Sequence, residues 1–214
     1  MHKHYTKLGL VGIVSAAVAS TTLVGAPAQA AASETSNRGH NTSLATVLKA
    51  DKGYDHNWQD FDILEKAVGA VLKAKPNSPV KVLAQGKTRV TAFLPTDAAF
   101  RIFVRDLTGV RKHTERGTFR ALARTANVDT IEAVLLYHVV AGKTLGAKKV
   151  GKLDGAKVTT AGGGTITVKI RGKKVVLVDQ DPNSRNPQVV KVNINKGNKQ
   201  IGHAINRVLR PIDL

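Results

Sequence analysis

The side chains best suited to chemistry in this 214-residue chain are arranged in ways that argue against catalysis. Beyond residue 30 the histidines are His40, His56, His113, His138 and His203, none four residues from another. The HExxH spacing that sets two imidazoles on one helical face is therefore missing, and no cysteine is present to complete a zinc site. Asp179-x-Asp181-x-Asn183 begins like a calcium loop, but its sixth position is Ser184 instead of the turn-forming glycine and its twelfth is Val190 instead of a bidentate glutamate, so a solvated turn is expected. There is no GxSxG elbow and no phosphate-cradling P-loop, and Gly162-Gly163-Gly164 falls between β segments, where a turn accounts for it. Asp97 follows Thr96 at a helix start, where Thr96 caps exposed N–H groups and Asp97 complements the positive end of the helix dipole. The reading is a chain with no catalytic residue, no metal and no cofactor of its own.

Charge is the more telling chemistry. The chain carries 33 Lys and Arg against 15 Asp and Glu, a net charge of +18. From residue 143 onward 15 basic side chains face only 4 acidic ones. Lys148, Lys149, Lys152, Lys157, Lys169, Arg171, Lys173 and Lys174 gather in this half, with Lys148, Lys149, Lys173 and Lys174 the leading candidates for binding. Such a face suits a polyanion. With aromatics at 4% there is little for bases to stack on, which argues against nucleic acid. The expected partner is an anionic cell-surface or matrix polymer, or a surface protein.

The elements that position these groups are legible from periodicity. Residues 1–30 read as a signal peptide: His2, Lys3 and Lys7 precede an apolar run from Leu8 to Ala19, and Ala28-Gln29-Ala30 is a small-x-small cleavage site. A secreted, extracellular or surface-associated product is expected, with no membrane span in the mature chain. Residues 31–57 read as a flexible N-terminal segment and 58–214 as one domain. Ile63, Leu64, Ala67, Val68, Val71 and Leu72 recur with helical spacing. A strand over 89–94 leads into a helix carrying Phe100, Phe103, Val104 and Leu107. Further helices are expected near 115–123 and from Asn127 or Asp129. Then come a hairpin (165–170 and 175–178), a strand through Val190, Val192 and Ile194, and a last strand over 200–209. Helices first and strands later imply an α+β domain.

The segment Thr91-Ala92-Phe93-Leu94-Pro95-Thr96-Asp97-Ala98-Ala99-Phe100 resembles the first signature of fasciclin (FAS1) domains. Leu135-Leu136-Tyr137-His138-Val139-Val140-Ala141-Gly142 resembles the second, with Ala141 where proline is common. His203-Ala204-Ile205-Asn206-Arg207-Val208-Leu209-Arg210-Pro211 resembles the closing block. Gly202, Asn206 and Arg210 depart from that block, where an apolar residue, an aspartate and an apolar residue are usual. The resemblance spans about Asp60 to Pro211 and makes Pro95, Thr96, Asp97, Phe100 and His203 structural motif residues. It implies a two-sheet β-wedge with packed helices, used for adhesion and matrix contact outside the cell. It also implies recognition by the Tyr137-His138 region, as in animal relatives. On its own periodicity His138 shares a stripe with Ile131, Val134 and Leu135 and points inward, whereas Tyr137 falls off the stripe toward solvent. The alternative function is carriage of an elongated apolar ligand such as a carotenoid, with Phe93, Leu94, Phe100 and Phe103 as either core or ligand wall. Oligomeric state is not readable from the sequence.

Overall fold

The computed structural model describes residues 40–51 and 53–213; the signal-peptide segment lies outside them. Fourteen elements follow one another. The helices are α1 (Leu44–Leu48), α2 (Asp62–Ala74), a 3-10 turn (Pro79–Ala84), α3 (Asp97–Thr108), α4 (Glu115–Thr125), α5 (Val128–Tyr137) and α6 (Ala147–Val150). The strands are β1 (Val90–Pro95), β2 (Val139–Ala141), β3 (Lys157–Thr159), β4 (Thr165–Arg171), β5 (Lys174–Val178), β6 (Val189–Ile194) and β7 (Gln200–Ile205).

Strand β1 is buried throughout because both its faces are covered, and its one polar residue, Thr91, is hydrogen-bonded to Lys143 and Leu145. It sits in a four-stranded sheet of order β2-β1-β7-β6, antiparallel to β2 and parallel to β7. Val90, Ala92 and Leu94 point into a helical core with Ile63, Ala67, Val71 and Phe100, while Phe93 points the other way. That other side is closed by an antiparallel three-stranded sheet, β3-β4-β5. Phe93, Val140, Ile166, Val168, Leu177, Ile205 and Leu209 form the second core between the sheets. A bridge from Val176 to Gln188 joins the sheets along one edge. The two-sheet, helix-packed α+β architecture is the one expected from sequence.

The helix starts follow local chemistry. Ser43, Thr96, Thr114 and Asn127 each accept a hydrogen bond from a backbone N–H of the turn they cap. Helix α3 stops at Gly109, whose φ of 70° closes the left-handed turn.

Two expectations are corrected. Residues 42–48, placed in a flexible segment, are built into the fold. Leu44 and Leu48 are buried, the Leu44 N–H donates to Gln200 Oε1 at 2.8 Å, and the Thr42 N–H donates to Asn198 Oδ1 at 2.9 Å. The final strand ends at Ile205, not Leu209. Asn206 turns the chain by exchanging bonds with Gln188, donating its N–H to the Gln188 carbonyl and accepting the Gln188 N–H on Oδ1.

Candidate functional site

The basic half of the chain reaches the surface in two places. On the three-stranded sheet, Ile166 and Val168 face the core, so Lys169 and Arg171 face outward. The register sets Lys174 opposite Arg171 and Lys157 opposite Thr167, which brings four cations onto one face, with Lys173 exposed in the connecting turn. Lys148 and Lys149 stand exposed on α6, which is anchored by buried Val150 and by the Ala147 N–H donating to Asn193 Oδ1 at 2.9 Å. The chain after α6 is tied to the hairpin edge, where Asp154 Oδ1 accepts the Ile170 N–H at 2.8 Å. Among the described residues none of these lysines, nor Arg171, enters an ion pair.

Sequence reading missed a second basic feature, an open cleft of about 680 Å³ lined by Arg105, Asp106, Arg185, Arg207 and Arg210. Arg210 holds it in place from behind. It is buried, pairs with Asp106 at 2.6 Å and Asp181 at 3.0 Å, and lies 5.3 Å over the Phe103 ring. Asp181 Oδ1 also accepts the N–H groups of Asn183 and Ser184, so the calcium-like segment is a turn exposed at Pro182 and Asn183, as expected, but with the Asp181 carboxylate buried and tied to Arg210. Burial is the main cause lowering the Arg207 pKa, with neighbouring guanidinium groups adding to it.

The Tyr137-His138 pair is not a surface. His138 is 3% exposed; its Nδ1–H donates to the Val134 carbonyl at 2.7 Å and its Nε2 accepts the Leu209 N–H at 2.9 Å. Both ring nitrogens are used, and burial lowers the pKa to about 4. Tyr137, expected at the surface, is 1% exposed, and its hydroxyl donates to the Thr165 carbonyl at 2.8 Å. The helical stripe misplaces it because the second sheet covers the opposite side of α5. His203 is likewise buried, its Nε2 bonded to the Leu145 carbonyl at 2.8 Å.

Phe93 and Leu94 divide between the two cores, but Phe100 and Phe103 also line an apolar cavity of about 460 Å³ with Leu107, Leu122, Ile131 and Ile212. This lies within the size range of small-molecule sites.

A cluster of carboxylates occupies the converging starts of three helices. Asp62, Asp97 and Glu115 are the first residues of α2, α3 and α4, and Asp60 is in the preceding loop. All four are buried. Asp97 Oδ1 accepts the Ile63 N–H at 2.9 Å and Glu115 Oε2 accepts the His56 N–H at 3.2 Å. No nitrogen or hydroxyl donor reaches Asp97 Oδ2, Glu115 Oε1 or either carboxylate oxygen of Asp60 and Asp62, and the Asp60 and Asp97 side chains otherwise hydrogen-bond only to each other. Burial, reinforced by neighbouring carboxylates, pushes Asp97 up to about 8 and Asp60 and Asp62 up to about 6. The visible signal was the oxygen-rich run Asp51-x-x-x-Asp55-x-Asn57-x-x-Asp60-x-Asp62.

The fasciclin domain family model matches residues 64–211. The structure is similar to part of a FAS1 domain pair from the insect cell adhesion molecule fasciclin I, at a TM-score of 0.56 and 17% sequence identity. The match covers 80% of this chain and 51% of that one, so the chain spans about half the length of the pair. No curated protein matches the chain.

Proposed function

Since this chain belongs to the fasciclin family, we propose that it is a secreted, non-catalytic adhesion module that holds anionic cell-wall or matrix polymers through its basic C-terminal half. One observation carries the reading. The cations Lys157, Lys169, Arg171 and Lys174 share the outward face of the three-stranded sheet, exposed and without carboxylate partners among the described residues. A repeating polyanion gains by displacing small counterions from such a face, and the contact weakens with salt. The arginine cleft adds a concave contact for a sulfate, phosphate or carboxylate group. Binding of the mature chain to isolated cell walls across a salt series tests the proposal, beside a variant with Lys148, Lys149, Lys173 and Lys174 changed to Gln. Loss of binding with salt and in the variant is the expected result; weak binding indifferent to both overturns it.

The 460 Å³ apolar cavity between α3, α4 and α5 favours a second reading, carriage of an elongated apolar ligand such as a carotenoid. Protein purified from a carotenoid-producing native source then carries a visible absorption band, and a colourless preparation rejects pigment carriage.

A further inference from the structure

We propose that Asp60, Asp62 and Asp97 bind a calcium ion, with Asp55 and Glu115 as adjoining oxygen donors. One carboxylate oxygen from each of Asp60, Asp62 and Asp97 lies within 4.8 Å of the other two, and the same holds for Asp55, Asp62 and Glu115. Two oxygens on opposite sides of a calcium ion, each about 2.4 Å from it, are separated by about that distance. The donors are thus already spaced for one ion to span them.

The second observation is independent of that spacing. Asp62 is 1% exposed and neither of its carboxylate oxygens meets a donor; Asp60, 7% exposed, and Asp97, at 0% exposure, meet no side-chain nitrogen or hydroxyl and, apart from the Ile63 N–H on Asp97, share a hydrogen bond only with each other. A buried polar group without a partner is destabilising, and a bare buried carboxylate more so. Several such groups pointed at one another require a neutralising species.

Among the described residues no cation supplies it. Three helix N-termini meet here, but each is worth only about half a positive charge, and a single N–H from α2 reaches the triad, that of Ile63 on Asp97. Lys66 is paired with Glu65 at 2.8 Å, and the Arg116 guanidinium lies 5.6 Å over the Tyr54 ring. An all-carboxylate donor set selects a hard cation, and its irregular outline suits calcium better than magnesium, which demands near-ideal octahedral geometry. Asp55 is exposed at the outer end of the cluster and marks the way in.

Trp58, the chain's one tryptophan, sits in the same loop, its carbonyl accepting the Ala98 N–H at 2.9 Å beside Asp97. It therefore serves as an antenna for terbium, a luminescent calcium substitute. Near neutral pH, terbium titrated into the metal-stripped full chain is expected to give saturable sensitised emission. Calcium should displace it with a midpoint at or below about 1 mM, the weak end of extracellular calcium modules, and magnesium far less effectively. Asp60→Asn and Asp62→Asn should each weaken binding about tenfold or more, since affinity follows ligand charge. Calcium should also raise the melting temperature of the unmodified chain relative to EDTA, a readout that decides the matter even if a variant fails to fold. Absence of saturable emission, emission indifferent to both substitutions, or identical melts in calcium and EDTA overturns the proposal. A melting temperature that rises in mild acid but ignores calcium does so too, and assigns the cluster to a shared proton.

Discussion

Leu94 occupies the space that Gly202 leaves open, with Leu44 packed behind it. A Cβ on Gly202 would stand 2.5 Å from Leu94 Cδ1 and 3.3 Å from Leu44 Cδ2, so β7 is kept bare where α1 presses its leucine against the sheet. The position where the fasciclin pattern has an apolar residue is bare here, and Leu94 of β1 and Leu44 of α1 already take up the space beside it. Leu44→Ala is expected to cost about 2–5 kcal/mol by emptying a fully buried site, read as a lower urea midpoint at unchanged slope. An unchanged midpoint would mean α1 is dispensable.

Arg210 is expected to behave as a buried partner, not as surface charge. Arg210→Ala strands the Asp181 carboxylate, itself 2% exposed, and should lower unfolding free energy by about 3–5 kcal/mol. Urea denaturation checks this; a loss under about 1 kcal/mol, the size of an exposed pair, contradicts the buried linkage.

Tyr137→Phe separates stability from recognition. Removing the hydroxyl bonded to the Thr165 carbonyl should cost about 1 kcal/mol while leaving cell-wall binding unchanged. Reduced binding by a fully folded variant would put this buried residue at a contact surface after all.

His138 gives a pH dependence of definite sign. Its folded pKa of about 4 lies below the usual value of 6.5, so in that window the unfolded chain binds more protons. The histidine's contribution is fully present above pH 6.5 and is lost as pH falls toward about 4, amounting to roughly 3 kcal/mol. Nitrogen-15 NMR should show a neutral ring protonated on Nδ1 with no titration near pH 6.5; a normal titration there refutes the buried double hydrogen bond.

Most of the fold was readable where one face of an element decides its fate. Ile63, Ala67 and Val71 mark α2 because one apolar stripe meets one core. Tyr137 was not readable, because its burial depends on Thr165 and Ile166 arriving from a sheet later in the chain. Lys169 and Arg171 were found because they belong to a charge excess continuous in sequence, whereas the cleft of Arg105, Arg185 and Arg207 joins α3 to two distant turns. The carboxylate cluster escaped for the same reason: Asp62, Asp97 and Glu115 each look like ordinary helix-start residues, and only the packing of three helices turns them toward one another.

The parallel pairing of β1 with β7 sets a timetable for the chain. Val90 meets Gln200, more than a hundred residues later, so the central strand lacks one neighbour until nearly the whole polypeptide has emerged. A nascent or truncated chain ending before residue 200 leaves the largely apolar β1 with an open edge, the kind of template that recruits other chains. Closure that waits on so distant a contact is slow, and until it is complete the open edge is a hazard in a crowded cell.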